Sequence, residues 1–275
     1  MEIHDISTAL VPGEEGMFFS TVSERVSYAA GGHADCFQVE DNSFWFQHRN
    51  NCIASMVANH PFSGLMLDIG GGNGYVAQRL IAEGLEVMLL EPGQTGARNA
   101  RVSRNLPYVA CATVENAGFI PGSFGAIGMF DVIEHIERDR NFIDQVTPLL
   151  TPGGRLYLTV PCHQWLWSQA DVHAGHFRRH TAASLESLLD GMFEIDYLSY
   201  FFRPLVAPQF LLRALPYRIG FGRKKGVLSA ETEHGAGNST LVRALSRLLE
   251  AEARTIARDD TIDFGASCLV AAHRI

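Results

Sequence analysis

Lysine is almost missing from this sequence. Only Lys224 and Lys225 occur among 275 residues, side by side, so chemistry built on a lone lysine, such as a Schiff base, has no residue to use. Neither lysine has a tyrosine four positions before it, which removes the Tyr-x-x-x-Lys pair of short-chain dehydrogenases. Clustered positive charge is also lacking: 22 Lys+Arg face 30 Asp+Glu, for a net charge of −8. A nucleic-acid partner is therefore not expected. The five cysteines (Cys36, Cys52, Cys111, Cys162, Cys268) form no CxxC pair and are odd in number, so they read as reduced thiols of a cytoplasmic protein. The opening residues MEIHDISTALVPGEEGMFFS hold early acids and no continuous apolar run, so no signal peptide is expected. No uncharged stretch reaches the roughly 18 residues of a membrane span; the nearest, 197–217, is broken by Arg203, Pro204, Pro208 and Arg213. No GxxxxGK[ST] phosphate loop occurs.

What is present fits one large globular domain. Hydrophobic residues make up 47%, enough to exclude disorder and to fill a core. A nucleotide-binding α/β domain needs about 150 to 200 residues, which leaves an excess of chain to place. Between 64 and 160, short apolar runs alternate with helical patterns, as in a parallel sheet built from βαβ units. Strands are expected at Leu65–Ile69, Val87–Leu90, Tyr108–Cys111, Ala126–Phe130 and Leu156–Val160. Helical spacing marks Tyr75, Val76, Leu80 and Ile81, with Gly84 as the stop, and again Phe142, Ile143, Val146 and Leu149. Thr151-Pro152-Gly153-Gly154 reads as a turn. Downstream, a helix is expected over Ala182–Leu189, a sixth strand over Phe193–Phe201 and a last one over Ala266–Ala272. Before that last strand come a Gly/Lys/Glu-rich segment (222–238) and an amphipathic helix with Leu241, Ala244, Leu245, Leu248 and Leu249 on one face, capped by Asn238 or Ser239.

The most informative motif is LMLDIGGGNGY (65–75): an apolar strand, Asp68, and then Gly70, Gly71, Gly72, Asn73 and Gly74 opening a helix. Glycines there allow a sharp turn and let a ligand approach the backbone. Glu91 closes the second strand 21 positions after Gly70, where a carboxylate can accept hydrogen bonds from both hydroxyls of an adenosine ribose. Tyr75 stands where a dinucleotide fingerprint has its third glycine, which counts against a pyrophosphate on this helix start. Asp68 would repel phosphate and suits a cationic amino group.

These motifs, with GMFDVIEHI (128–136) and LLTPGGRLYLTVP (149–161), resemble class I S-adenosylmethionine-dependent methyltransferases, nearest the branch of quinone-biosynthesis and glycan- or lipid-associated enzymes. The resemblance implies a doubly wound, Rossmann-like α/β fold with a seven-stranded, mostly parallel sheet whose last strand is antiparallel. It implies S-adenosyl-L-methionine as cofactor, with Asp68 and Gly70–Gly74 holding the methionine moiety and Glu91 the ribose beside Pro92 and Gly93. Thr113, Val114 and Glu115 fall at the adenine position, although the acid often found just before them is Ala112 here. Phe130 and Asp131 would line the sulfonium. It also divides the chain into an N-terminal helical cover (1–60), the catalytic domain (61–202 with 262–275) and a helical insertion (203–261).

The acceptor side is read from two segments. His135, just past the fourth strand, is the candidate general base for an acceptor hydroxyl; the other reading is that Glu134 and His135 bond backbone and orient the turn. PCHQWLWSQADVHAGHFRRH (161–180) resembles the WSxxDxxxGHxRRY segment of the glycan and lipid branch, with His180 in place of tyrosine. Asp171 and His176 are its candidate acceptor-site residues, and Arg178 and Arg179 would pair with Asp131 or Glu134. A metal on His173, His176 and His180 is the less favoured alternative, so no metal is expected. Upstream, FWFQHRN (44–50) resembles a cofactor-covering helix, in which Trp45 and Phe46 shield the sulfonium and Arg49 meets the methionine carboxylate; otherwise it is an amphipathic helix on the sheet edge.

The expected function is methyl transfer, more readily to oxygen, onto a small-molecule, glycan or lipid-linked acceptor. The alternatives are a nicotinamide oxidoreductase on a similar sheet and a non-catalytic cofactor-binding protein. Residues 197–221 combine aromatic and aliphatic side chains with Arg203, Arg213 and Arg218, a pattern for a lid or homodimer element or for peripheral membrane contact.

Overall fold

Among the described residues, nine strands form a single mixed sheet in the order β1-β2-β5-β4-β3-β6-β7-β9-β8. They are β1 (Leu10–Pro12), β2 (Phe18–Ser20), β3 (Met66–Ile69), β4 (Val87–Leu90), β5 (Tyr108–Cys111), β6 (Phe124–Phe130), β7 (Leu150–Pro161), β8 (Phe193–Phe201) and β9 (Ser267–Arg274). The computed structural model describes residues 2–21, 37, 39–220 and 240–275, the side chains of the last span from Leu245 onward. Cys36, the helix cap expected at Asn238 or Ser239, and the 222–238 segment lie outside the described residues.

Strands β3 to β7 are mutually parallel, and β9 runs antiparallel between β7 and β8. Their residues alternate between two apolar layers. Leu67, Ile69, Met88, Leu90, Ile127, Met129, Leu156 and Leu158 face one core, while Met66, Val87, Leu89, Ala126, Phe130 and Tyr157 face the other. Both faces are apolar because helices cover both, as a parallel sheet requires. On the first side lie α4 (Asp139–Val146) and α6 (Ala182–Leu189), through Phe142, Ile143, Val146, Leu185, Leu188 and Leu189. On the second lie α1 (Phe44–Asn59), α2 (Tyr75–Ala82) and α9 (Thr240–Ala257).

Three expectations are corrected. The sheet has nine strands, not seven, because the N-terminal segment is not purely a helical cover: β1 and β2 form a hairpin, and β2 pairs in parallel with β5. Three-residue strands are too short to leave a period-two signal in sequence. The turn expected at Thr151–Gly154 lies within β7 as a bulge, with the register passing from Phe124↔Leu150 to Ala126↔Arg155. In α9, Leu249 is buried but Leu248, expected on the same face, is exposed.

The chain order reverses at β3, which has β4 on one side and β6 on the other. The crevice beyond the carboxyl ends of these strands is where ligands bind in doubly wound sheets. Backbone strain marks the same end of the sheet. Asp131, His163 and Phe202, just past β6, β7 and β8, have φ of 59°, 64° and 58°, a left-handed conformation that is costly for residues with a side chain and is typical of functional sites.

Candidate active site

The glycine loop packs as its sequence requires. At Gly71 an added Cβ would lie 2.6 Å from Leu89 Cδ1 and 2.7 Å from Asp68 Oδ2. Asn73 pins the loop from outside: its amide donates to Glu40 (2.9 Å), and its oxygen accepts from Asn99 (3.0 Å). Glu40 in turn is ion-paired with the buried Arg104 at 2.8 Å. Glu91 accepts from the Gly72 N–H at 2.9 Å and the Gly93 N–H at 2.6 Å, one on each oxygen. That grip fixes the carboxylate at the loop. Pro92, between Glu91 and Gly93, is half-buried.

Asp68 is 1% exposed, and neither of its carboxyl oxygens has a hydrogen-bond partner among the described residues. Burial pushes its pKa up to about 7, although the Arg49 guanidinium pulls the other way. A buried carboxyl with two idle acceptors is costly unless a ligand supplies the donors. Thr113 Oγ1, just past β5, is likewise buried with no hydrogen-bond partner among the described residues, next to the buried Val114; Glu115 is exposed. Asp68, the Gly70–Gly74 turn, Glu91 and Thr113 thus gather at the carboxyl ends of the neighbouring strands β3, β4 and β5, a cradle whose chemistry suits an amino group, two ribose hydroxyls and a base.

The helix over this cradle is α1, capped by Ser43, which accepts from the Trp45 N–H. Trp45 stacks on Phe202, with centroids 5.2 Å apart and planes 8° apart. Arg49 lies 5.7 Å from the Trp45 ring and donates to Asp131 at 2.5 Å and to the Phe130 carbonyl at 2.8 Å. Arg49, expected to be held for a ligand carboxylate, is thus engaged with Asp131, which also accepts from Thr159 at 3.2 Å.

The acceptor-side residues come together through a closed loop. Its ends pair where His163 N–H donates to the His180 carbonyl and His180 N–H to the Pro161 carbonyl. Ser168 and Asp171 form a capping box at the start of α5 (Gln169–Ala174). Phe177 N–H donates to the Glu134 carbonyl at 2.8 Å, tying this loop to the end of β6. His135 and His176 consequently meet edge to face, with centroids 4.6 Å apart, and His176 Nδ1 lies 3.1 Å from Asp171. Burial, with His176 adding to it, lowers His135 to a pKa of about 4, so its imidazole is neutral. Burial alone would raise Asp171, but hydrogen bonds from His176 and Arg179 bring it down to about 2.

Three pairings differ from expectation. Arg179 binds Asp171 and Arg178 binds Asp139, in place of Asp131 or Glu134. The Glu134 carboxylate is 1% exposed, neither of its oxygens has a hydrogen-bond partner among the described residues, and burial with the nearby Asp131 charge raises its pKa well above the ordinary value. One donor atom from each of Glu134, His135 and His176 lies within 4.8 Å of the others. Among the described residues, that group holds only His176 of the three histidines weighed as metal ligands. Sequence reasoning passed over Glu134 because a carboxylate after a strand usually caps the next turn. It also missed Glu252 on α9, which accepts from His48 at 2.7 Å and from the Phe202 and Arg203 N–H groups at 2.6 and 2.9 Å. Glu252 thereby fixes the residue on which Trp45 stacks.

The chain matches the methyltransferase-domain family over residues 52–192. Curated relatives include the ubiquinone biosynthesis O-methyltransferase of Erwinia tasmaniensis, 27% identical over 128 residues, 44% of this chain and 53% of that protein. The mitochondrial enzyme of the same name from Mus musculus is 26% identical over 40% of this chain and 33% of its own length. The chain thus spans about half or less of these relatives. Among solved structures, phosphoethanolamine N-methyltransferase 2 of Haemonchus contortus, bound to phosphomonomethylethanolamine and S-adenosylhomocysteine, aligns with a TM-score of 0.53 at 20% identity, over 93% of this chain and 61% of that one. The [4+2]-cyclase SpnF aligns with a TM-score of 0.54 at 17% identity, over 92% and 98%. At such identities the structural likeness concerns the fold, and the fold alone does not set the chemistry.

Proposed function

The chain belongs to the methyltransferase-domain family, and from that membership we propose that it transfers a methyl group from S-adenosylmethionine to a hydroxyl of a small-molecule, glycan or lipid-linked acceptor. S-adenosylmethionine is the cofactor of this class of domain, and the residues present fit it. The observation that carries the reading is the buried, partnerless Asp68 beneath a glycine turn and beside Glu91. A cationic amino group would satisfy Asp68, the ribose hydroxyls would donate to Glu91, and Thr113 with Val114 would border the adenine. Arg49 would offer the methionine carboxylate the edge not engaged with Asp131. When bound, the cofactor supplies an electrophilic methyl carbon on a sulfonium.

The rest of the work falls to this chain's residues. Trp45, Phe130 and Phe202 exclude water from the reacting centre, and alignment there supplies most of the rate. Asp131, clamped by Arg49 and Thr159, borders the same space. His135 is uncharged at neutral pH and takes the acceptor's proton. Asp171 orients His176 by accepting at its Nδ1, and the two wall the acceptor pocket. Removing His135 should lower turnover by about 10²- to 10⁴-fold.

An amphipathic acceptor is favoured by the apolar side chains left in solvent beside this mouth. Leu211, Leu212, Leu215 and Ile219 are exposed on the helical run that follows β8, near Arg203 and Arg218. None of the described helices is long and apolar enough to cross a membrane; a surface contact would use this run. Flotation with anionic vesicles tests that contact, and protein that stays in the pellet fraction removes it.

Calorimetry tests the core reading. Saturable binding of S-adenosylhomocysteine with none of NADH is expected; the reverse would establish the oxidoreductase alternative. An acceptor screen with labelled cofactor follows. Turnover that His135→Ala abolishes while cofactor affinity persists is the expected outcome, and turnover unchanged in that variant would remove the assigned base.

A further inference from the structure

The cofactor reading leaves one costly feature unexplained. Glu134 is buried with both carboxyl oxygens unpartnered among the described residues, and such a group needs a proton, a donor or a cation. The nearby arginines are committed elsewhere. Arg179 serves Asp171 and the Cys162 carbonyl, Arg178 serves Asp139, and Arg49 serves Asp131. What Glu134 does face are two imidazoles, with one donor atom from each of Glu134, His135 and His176 inside a 4.8 Å circle.

We propose that Glu134, His135 and His176 bind a divalent transition-metal cation, with Asp171 as the outer carboxylate that holds His176 in its ligating tautomer. Two imidazoles and one carboxylate form a donor set suited to zinc, manganese or iron, and unlike the all-oxygen shells of magnesium and calcium. The ligands are preorganised. Glu134 and His135 share the short turn after β6 (Ile133–His135), and the Phe177 N–H bond to the Glu134 carbonyl brings His176 to them. Asp171 engages Nδ1 of His176, so Nε2 is the nitrogen left for the metal. A ligating histidine fixed from behind by a carboxylate is the usual outer arrangement at such sites.

Three protein ligands leave positions open on the cation. This part of the inference rests on the reading that the acceptor enters beside Asp131. A hydroxyl that coordinates the cation there loses its proton near neutral pH, because the metal stabilises the oxyanion. A ligating His135 takes no proton, so coordination replaces the general-base role given to it above, and the acceptor's proton leaves to solvent. The acceptor class is then a hydroxyl with a second oxygen on the adjacent carbon, a vicinal diol or hydroxy-carbonyl, which can chelate.

The test begins with full-length protein stripped by EDTA and freed of chelator, without cofactor. Co²⁺ is titrated by visible absorption and Zn²⁺ by calorimetry, and one ion per chain is expected. Glu134→Gln and His176→Ala should each abolish saturable 1:1 binding, and Asp171→Asn should weaken it about 10- to 100-fold. Circular dichroism and S-adenosylhomocysteine affinity, measured on each variant, separate lost ligands from lost fold. Stripped wild-type protein that binds neither ion, or well-folded E134Q and H176A that still bind one ion, would overturn the proposal. Cofactor binding without metal binding would remove the metal site and leave the methyltransferase reading standing; metal binding without cofactor binding would do the reverse.

Discussion

At the scale of single residues, Asp68 carries the sharpest consequence. Its carboxyl is held near a pKa of about 7 by burial, against an ordinary value near 4. The folded state favours the protonated form, so this contribution to stability is full below about pH 4 and is lost as pH rises through about 7. The ligand-free protein should therefore show a denaturation midpoint that falls between pH 5 and 8 more steeply than that of Asp68→Asn. A cationic amino group arriving on Asp68 favours the ionised form, so binding should expel a proton. Calorimetry of S-adenosylmethionine at pH 7, in buffers of different ionisation enthalpy, should report release of about half a proton. Asp68→Asn should abolish that release and weaken binding about 10- to 100-fold, the worth of one charge-assisted hydrogen bond. Gly71 makes a steric counterpart. Its substitution by alanine drives a methyl group against Leu89 and Asp68, which should cost about 1–3 kcal/mol of stability. Cofactor affinity should fall at the same time, whereas an alanine at Gly84, where an added Cβ meets nothing within 4 Å, should leave affinity intact.

At the scale of elements, Glu252 joins parts of the chain that are far apart in sequence. It ties α9 to His48 of α1 and to the backbone at Phe202 and Arg203. Replacing it by alanine leaves three buried or half-buried donors without an acceptor, a loss of about 3 kcal/mol. For a domain of this size that is a fall of about 6–12 °C in thermal midpoint, and Glu252→Gln, which keeps an acceptor oxygen, should lose less. Tryptophan fluorescence should shift with it, because Phe202 no longer holds the Trp45 ring. The tether also shows where sequence reading reached its end. The strand–loop–helix over 65–82, the acid at 91 and the sixth strand at 193–201 were legible because each rests on local periodicity or on a fixed loop-to-acid spacing. Glu252 was not, because a lone acid on an amphipathic helix looks like any solvated residue until the fold carries it against a distant backbone. The same holds for Glu134 and His176, whose meeting depends on a loop closed by main-chain hydrogen bonds between residues 161–163 and 180. Asp171 and His176 were visible as candidates only through a family-like spacing, and that spacing did not say that Arg179 would take Asp171.

At the scale of the whole molecule, the hairpin of β1 and β2 links the sheet's edge to the proposed cofactor cradle. It covers β5, pairing Phe18 with Ala110 and Phe19 with Cys111. The same N-terminal stretch buttresses the loop that carries Thr113 and Val114. Ser7 donates to the Ala117 carbonyl at 2.6 Å, Ser20 to the Asn116 carbonyl at 2.7 Å and the Thr8 N–H to the Gly118 carbonyl at 2.9 Å. Deleting residues 1–20 should therefore do two things together. It bares the unpaired edge of β5, an apolar strand of four residues (Tyr108–Cys111), and exposed edges recruit other strands. Light scattering should then report self-association that rises with protein concentration and is absent from the full chain. It also frees the 113–118 loop, so S-adenosylhomocysteine should bind more weakly even at dilutions where the truncated protein is monomeric. If the dilute truncated protein kept full affinity, the hairpin would be an edge guard and nothing more. Weakened binding in the monomer would instead make the N-terminal hairpin a structural part of the proposed adenine side, reached from the opposite end of the chain from the helix that fixes Phe202.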